Sequence, residues 1–267
     1  MHQRVLITGA GSGLGRALAQ RYAATGSAVG CADLHLDRAL DTIASLPGSG
    51  HAAWQVDVGD DGSFAAFASV ARDWGTPDLL INNAGIAAGG TMLDSTMGEW
   101  RELLEVNLLS VVRGCKTFLP AMLDAKRGRI LNVASFAGLA GAPAIMSYGV
   151  AKGGVVILSE QLRAELHDSG VGVSVACPAF FQTNLLQNWR GTDQMRAAAG
   201  RLMKHSSDTV DTVADAIVAA VARGEFLILP TRNEPMRWRM KRWFPALYFK
   251  QLLKMIAERK RVARDAK

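Results

Sequence analysis

Seven short apolar runs alternate with longer amphipathic stretches along this 267-residue chain, and that alternation limits the fold more than any other feature. The runs lie at 4–8, 28–33, 52–56, 79–82, 129–134, 171–177 and 226–229. Helical periodicity marks 13–25, 36–46, 60–74, 97–125, 148–169 and 208–223. The strand segments are apolar throughout rather than at every second position, as expected of strands buried on both faces. Strands and helices in turn predict an α/β fold, a doubly wound parallel sheet with helices on both sides. Two stretches stand outside the pattern, an insertion at 180–207 and an extension at 232–267. With no internal repeat and no low-complexity linker, the reading is a single domain, 1–231, carrying a lid insertion at 180–207 and a basic C-terminal extension at 232–267.

Half the residues are hydrophobic and a fifth are charged, which suits a globular core needing no disulfide staples. Cys31, Cys115 and Cys177 show no metal or redox spacing, so they read as buried thiols in a reducing compartment, the cytoplasm, and no metal site is expected. The first strand starts at Arg4, which leaves no room for a signal peptide, and no apolar run reaches the roughly 18 residues of a membrane span. The net charge of +6 is unevenly spread: residues 232–267 carry 12 Lys and Arg against 3 Asp and Glu, and the rest is slightly acidic.

Val5-Leu6-Ile7 leads into Thr8-Gly9-Ala10-Gly11-Ser12-Gly13-Leu14-Gly15. Glycines at a strand-to-helix turn let backbone N–H groups and the helix N-terminus approach a pyrophosphate. A tight turn with no ligand is the alternative. Asp33 ends the second strand, 18 residues past Gly15, where a carboxylate accepts the ribose hydroxyls of NAD and repels the 2′-phosphate of NADP. A helix cap is its other reading.

The chain resembles the short-chain dehydrogenase/reductase family, in its branch with the Thr-Gly-x-x-x-Gly-x-Gly signature. Thr8 to Gly15 match that signature. Asp57-Val58, Asn82-Asn83-Ala84-Gly85, Asn107, Ser135, Tyr148-x-x-x-Lys152, and Pro178 with Thr183 follow in order. The likeness spans about residues 4–230 and implies a Rossmann-type domain. It implies that Gly9, Ser12, Gly13, Leu14 and Gly15 cradle the cofactor. Asp57 and Val58 would hold the adenine, and Asn83, Ala84 and Gly85 would line the fourth strand. Thr183, with Pro178, would meet the nicotinamide end. Ala179 stands where the family usually has glycine, and the added methyl is expected to leave binding intact.

The proton chemistry rests on residue types. A free tyrosine, with a pKa near 10, is a poor base at neutral pH, and nearby positive charge stabilises its phenolate. Lys152 lies one helical turn from Tyr148. The ring of bound NAD⁺ adds charge, and a shift of roughly three units corresponds to about 4 kcal/mol. Tyr148 then serves as general base for alcohol oxidation or acid for carbonyl reduction. Ser135, at the end of the fifth strand, can hold the substrate oxygen while charge develops on it. The resemblance adds that Lys152 also grips the nicotinamide ribose and that Asn107 holds a water relaying protons to it. A helix-kinking or core-bonded amide is the other reading of Asn107.

Residues 136–147 lack charge, and Phe136, Phe180, Phe181, Leu185 and Trp189 flank the expected site. An apolar cleft favours a hydrophobic secondary alcohol or its ketone, lipid-, steroid- or terpenoid-like. NADPH-dependent carbonyl or ketoacyl reduction is the alternative, with Arg16 and His35 close enough to matter. A cofactor-binding regulator without turnover is the rival from another class. The resemblance also implies a homodimer or homotetramer paired through the long helices. In the extension, Leu247, Tyr248, Leu252, Met255 and Ile256 fall on one helical face and Lys250, Lys254 and Arg261 on another. That pattern suits peripheral contact of 236–261 with an anionic membrane, or packing on the body or a neighbouring subunit. No nucleic-acid-binding fold accompanies the charge, so no nucleic acid is expected.

Overall fold

The computed structural model describes residues 3–265, with side chains through Glu258 apart from Asn184. Seven parallel strands form one sheet: β1 Arg4–Thr8, β2 Ala28–Asp33, β3 Ala52–Gln55, β4 Leu79–Asn82, β6 Gly128–Val133, β7 Val171–Ala176 and β9 Leu227–Ile228. Their order is β3-β2-β1-β4-β6-β7-β9. The chain winds outward from β1 to β3, then returns to β4 and winds the other way. That reversal opens a crevice beyond the carboxyl ends of β1 and β4, where open α/β sheets bind their ligands.

Alternate strand residues feed two cores. Val5 and Ile7 pack with Leu18, Val213 and Ile217 of α1 (Gly13–Ala24) and α9 (Val210–Ala222) on one face. Leu6 joins Phe67, Phe118 and Val155 on the other, from α3 (Asp61–Trp74), α5 (Ser110–Asp124) and α7 (Met146–Glu165). Burial on both sides is why the strands read as unbroken apolar runs.

Three regions differ from the sequence expectation. The helix expected over 97–125 is broken into α4 (Met97–Leu104), a π-turn Glu105–Leu109, and α5. The insertion is not a bare loop. It holds a 3₁₀ turn Asn184–Asn188, a two-residue strand β8 (Arg190–Gly191) and α8 (Asp193–Lys204). β8 pairs in parallel with β5 (Ala88–Gly89), making a second small sheet that stitches the insertion to the segment after β4. The extension forms α10 (Glu234–Trp243) and α11 (Pro245–Asp265), beside a single turn α6 (Ala137–Ala140) that follows Ser135. Between β2 and β3 lies α2, Leu36–Ala44. No described helix is long and apolar enough to cross a membrane.

Candidate active site

The glycine turn is shaped by what a side chain would hit. A Cβ on Gly15 would lie 2.1 Å from the Gly9 carbonyl oxygen, and Gly9 itself holds φ at +66°. Ser12 occupies the N-cap position of α1, yet its hydroxyl makes no capping bond and the first turn holds no acid. The first N–H groups of α1 are therefore available to an anion. Asn83 braces the turn from β4. Its amide nitrogen donates to the carbonyls of Thr8 (2.9 Å) and Gly9 (3.1 Å), and Thr8 Oγ1 accepts from the N–H groups of Asn83 and Ala84. Asp33 accepts from Gly11 N at 2.8 Å and from His35 N at 3.1 Å. The Asp33 carboxylate ties down two turns and lines the cleft, while the N-cap position of α2 falls to His35. Asp57 likewise accepts from Gly59 N at 2.9 Å and lines the cleft with Val58. These residues fit a dinucleotide: bare helix N–H groups for phosphate, and a fixed carboxylate beyond β2 for a ribose.

Ser135, Tyr148 and Lys152 meet where β6 and α7 converge. Ser135 Oγ accepts from Ala137 N at 3.1 Å and donates to Pro178 O at 3.3 Å. Lys152 is buried, and its Nζ donates to Val133 O at 2.9 Å. Burial pushes the Lys152 ammonium down to about 8. Burial pushes the Tyr148 phenol above its ordinary value, and the Ser135 hydroxyl pulls it back only in part. The expected lowering of Tyr148 by Lys152 is thus not achieved by the chain's own groups. Desolvation outweighs the favourable contacts, so a cationic ring beside the phenol would have to supply the balance. Beneath both lies Cys177, a thiol pushed up to about 12 by burial and so uncharged.

Asn107 sits fully buried in the π-turn. Its amide exchanges two bonds with Ile86, Oδ1 accepting from Ile86 N and Nδ2 donating to Ile86 O, both at 3.0 Å. The core-bonded reading therefore describes its side chain. Asn107 nevertheless touches the site: a Cβ on Gly85 would fall 2.6 Å from Asn107 Oδ1 and 3.3 Å from Lys152 Nζ.

All the expected cofactor residues except Gly15 line one cleft of about 470 Å³ or, like Gly9 to Leu14, its glycine edge, together with Ser135, Asn107, Pro178 and Thr183. The substrate residues divide. Phe181 and Leu185 line the cleft, whereas Phe136, Phe180 and Trp189 do not. Phe136 starts α6 and is buried, Phe180 is exposed, and Trp189 lies over Gly89 with its indole N–H donating to Thr192 O. Ile86, Val106, Glu102 and Arg190 line the cleft instead and carried no sequence signal. Arg190 grips Glu102 through Nε and Nη2 at 2.7–3.1 Å, and this partner holds the Glu102 carboxyl below its usual range. Eighty-eight residues separate the pair, so spacing could not reveal it.

A phosphate-ready turn, a ribose-ready carboxylate and a serine–tyrosine–lysine cluster in one crevice define a dinucleotide-dependent oxidoreductase domain. A family model described as short chain dehydrogenase matches residues 3–194. A meso-2,3-butanediol dehydrogenase of Serratia marcescens is 36% identical over 202 residues, covering 74% of this chain and 80% of that protein. A probable oxidoreductase EphD of Mycobacterium tuberculosis is 35% identical over 232 residues, 82% of this chain. The chain spans only 39% of the length of that mycobacterial relative. Among solved structures, a short-chain dehydrogenase/reductase of Burkholderia phymatum in complex with NAD superposes with a TM-score of 0.84. It is 30% identical and the match covers 92% of this chain and 95% of that one. A short-chain dehydrogenase of Sphingobium yanoikuyae in complex with NADPH gives 0.75 at 26% identity, covering 95% of each. The chain belongs to the short-chain dehydrogenase family.

Proposed function

We propose that the protein interconverts a hydrophobic secondary alcohol and its ketone with NAD. The observation that carries the cofactor choice is Asp33, whose carboxylate is pinned by Gly11 N and His35 N at the ribose end of the cleft. A fixed negative charge there accepts ribose hydroxyls and repels a 2′-phosphate. Bound NAD⁺ supplies the hydride acceptor and a positive ring. The chain supplies the rest. The Ser135 hydroxyl holds the substrate oxygen, Tyr148 takes or gives its proton, and Lys152 contributes charge beside them. Asn107 fixes the Ile86 segment that lines the cleft. Ile86, Val106, Phe181 and Leu185 give the cleft an apolar part beside the Glu102–Arg190 pair, and that part supports a hydrophobic substrate. The body is proposed to assemble as a homodimer or homotetramer.

NADPH-linked carbonyl reduction is the second reading, and Arg38, which lines the cleft beside Asp33, favours it. Arg16 does not, because its guanidinium is engaged with Thr42 Oγ1 (3.0 Å) and Gly11 O (2.8 Å). Initial rates with long-chain, steroid-like and terpenoid alcohols, run in parallel with NAD⁺ and NADP⁺, decide between them. Turnover with NAD⁺ is expected. Turnover with NADP⁺ alone would overturn the role given to Asp33.

A further inference from the structure

We infer that the α10–α11 hairpin is a docking surface for an anionic phospholipid bilayer. The extension is fixed to the body. Thr231 at its root is buried, and its Oγ1 accepts from Ala179 N at 3.2 Å. Lys241 Nζ donates to Leu139 O, Tyr248 OH donates to Ala140 O at 3.0 Å, and Leu252 is buried. So part of the apolar face foreseen for α11, Tyr248 and Leu252, packs inward. Arg261 lies outside the described side chains.

What remains outside is a second apolar surface. Trp243 is 73% exposed and Phe244 follows it at the corner between the helices; Phe249, 59% exposed, and Leu253 form an i, i+4 row on α11. Lys250 and Lys254 form the adjoining row, one position on. Between residues 235 and 257 there are six Lys and Arg and no Asp or Glu. Large aromatic side chains beside the exposed cations Lys250 and Lys254 match the boundary of an anionic bilayer, where rings sit at headgroup depth and cations meet phosphate. A second copy fits less well. A two-fold interface would set this surface against itself, six cations facing six, with Glu234 already paired to Arg237 and Glu258 the one other acid among the described side chains of the two helices. Because the extension bonds α6, the turn directly after Ser135, such docking would bring the catalytic segment close to the lipid.

The test does not depend on turnover, so it stands apart from the substrate reading. The full chain would be sedimented with vesicles of phosphatidylcholine alone or mixed with phosphatidylglycerol, at low and high salt. Binding to the anionic vesicles at low salt, weakened by high salt, is expected. The pair Lys250→Gln and Lys254→Gln should bind about 30-fold more weakly, since each cation near such a surface contributes about 1 kcal/mol. Phe249→Ser with Leu253→Ser should weaken binding as well. These four side chains are exposed, and thermal melts would check that the variants fold. No binding to anionic vesicles at low salt would overturn the proposal. So would wild-type binding by both double variants, or self-association that the serine pair abolishes without any vesicle binding.

Discussion

Lys152 is a buried base at the heart of the site. Burial takes its pKa from the ordinary 10.5 to about 8. A base with a depressed folded pKa holds fewer protons than the unfolded chain between those values. It therefore opposes folding below pH 8, and the penalty fades as the pH rises toward 10.5. Lys152→Met should stabilise the fold at pH 7 by about 2 kcal/mol, the protonation penalty less the lost bond to Val133. The gain should shrink by pH 10, and urea midpoints at both pH values check it. The same variant should lose activity, because the charge beside Tyr148 goes with it. Tyr148→Phe should lower kcat by roughly 10²- to 10⁴-fold while dinucleotide binding, followed by fluorescence titration, is retained. Full activity in that variant would remove Tyr148 from the mechanism. These residues were legible in the sequence because their spacing is local: one helical turn joins Tyr148 to Lys152, and one turn gathers the glycines. Phe136, Phe180 and Trp189 were misplaced for the opposite reason. Adjacency to the site put them near it, but backbone direction decided where each ring went.

At the scale of elements, the insertion is held by more than its own length of chain. β8 pairs with β5, and within the cleft lining the Arg190 guanidinium reaches Glu102 on α4. Gly191 permits the pairing: its φ is +93° and a Cβ would lie 2.1 Å from the Gly89 carbonyl oxygen. Two-residue strands have no periodicity to detect, and a partner about a hundred residues away leaves no local mark. The π-turn was hidden similarly, since five residues of wider winding look like helix in composition. Its effect is specific, because it brings Asn107 to the backbone of Ile86. The latch yields a prediction. Arg190→Met should raise KM for the alcohol about five-fold, equivalent to roughly 1 kcal/mol for a half-exposed pair, with kcat less affected. Glu102→Gln added to it should cost little more, since the cycle would show the two acting as one unit. Additive effects would mean that each side chain contacts substrate separately.

For the whole molecule, strand–helix alternation carried the sheet and both its faces, whereas the exposed surfaces depend on what the body leaves uncovered. Val150 and Ile157, seven residues apart on α7, are each about half exposed, and Leu109 and Leu123 are exposed along the neighbouring π-turn and α5. A spacing of seven places Val150 and Ile157 on one side of the helix. An apolar stripe of this kind on two adjacent helices suits a self-complementary contact across a two-fold axis. It differs from the α10–α11 surface in one decisive respect: residues 150–159 contain only Lys152 as a charge, and that side chain is buried. On α7, then, no like charges oppose pairing, and on α5 the one exposed charge in line with Leu109 and Leu123 is Lys116. Light scattering on the eluting protein should give a mass at least twice the 28.5 kDa of the chain. Ile157→Glu should reduce it to that of the monomer, because the interface would then bury two unpaired carboxylates. Phe249→Ser with Leu253→Ser should leave the assembly intact, since those residues are assigned to lipid. Loss of assembly in the α11 variant but not in Ile157→Glu would reverse the two assignments.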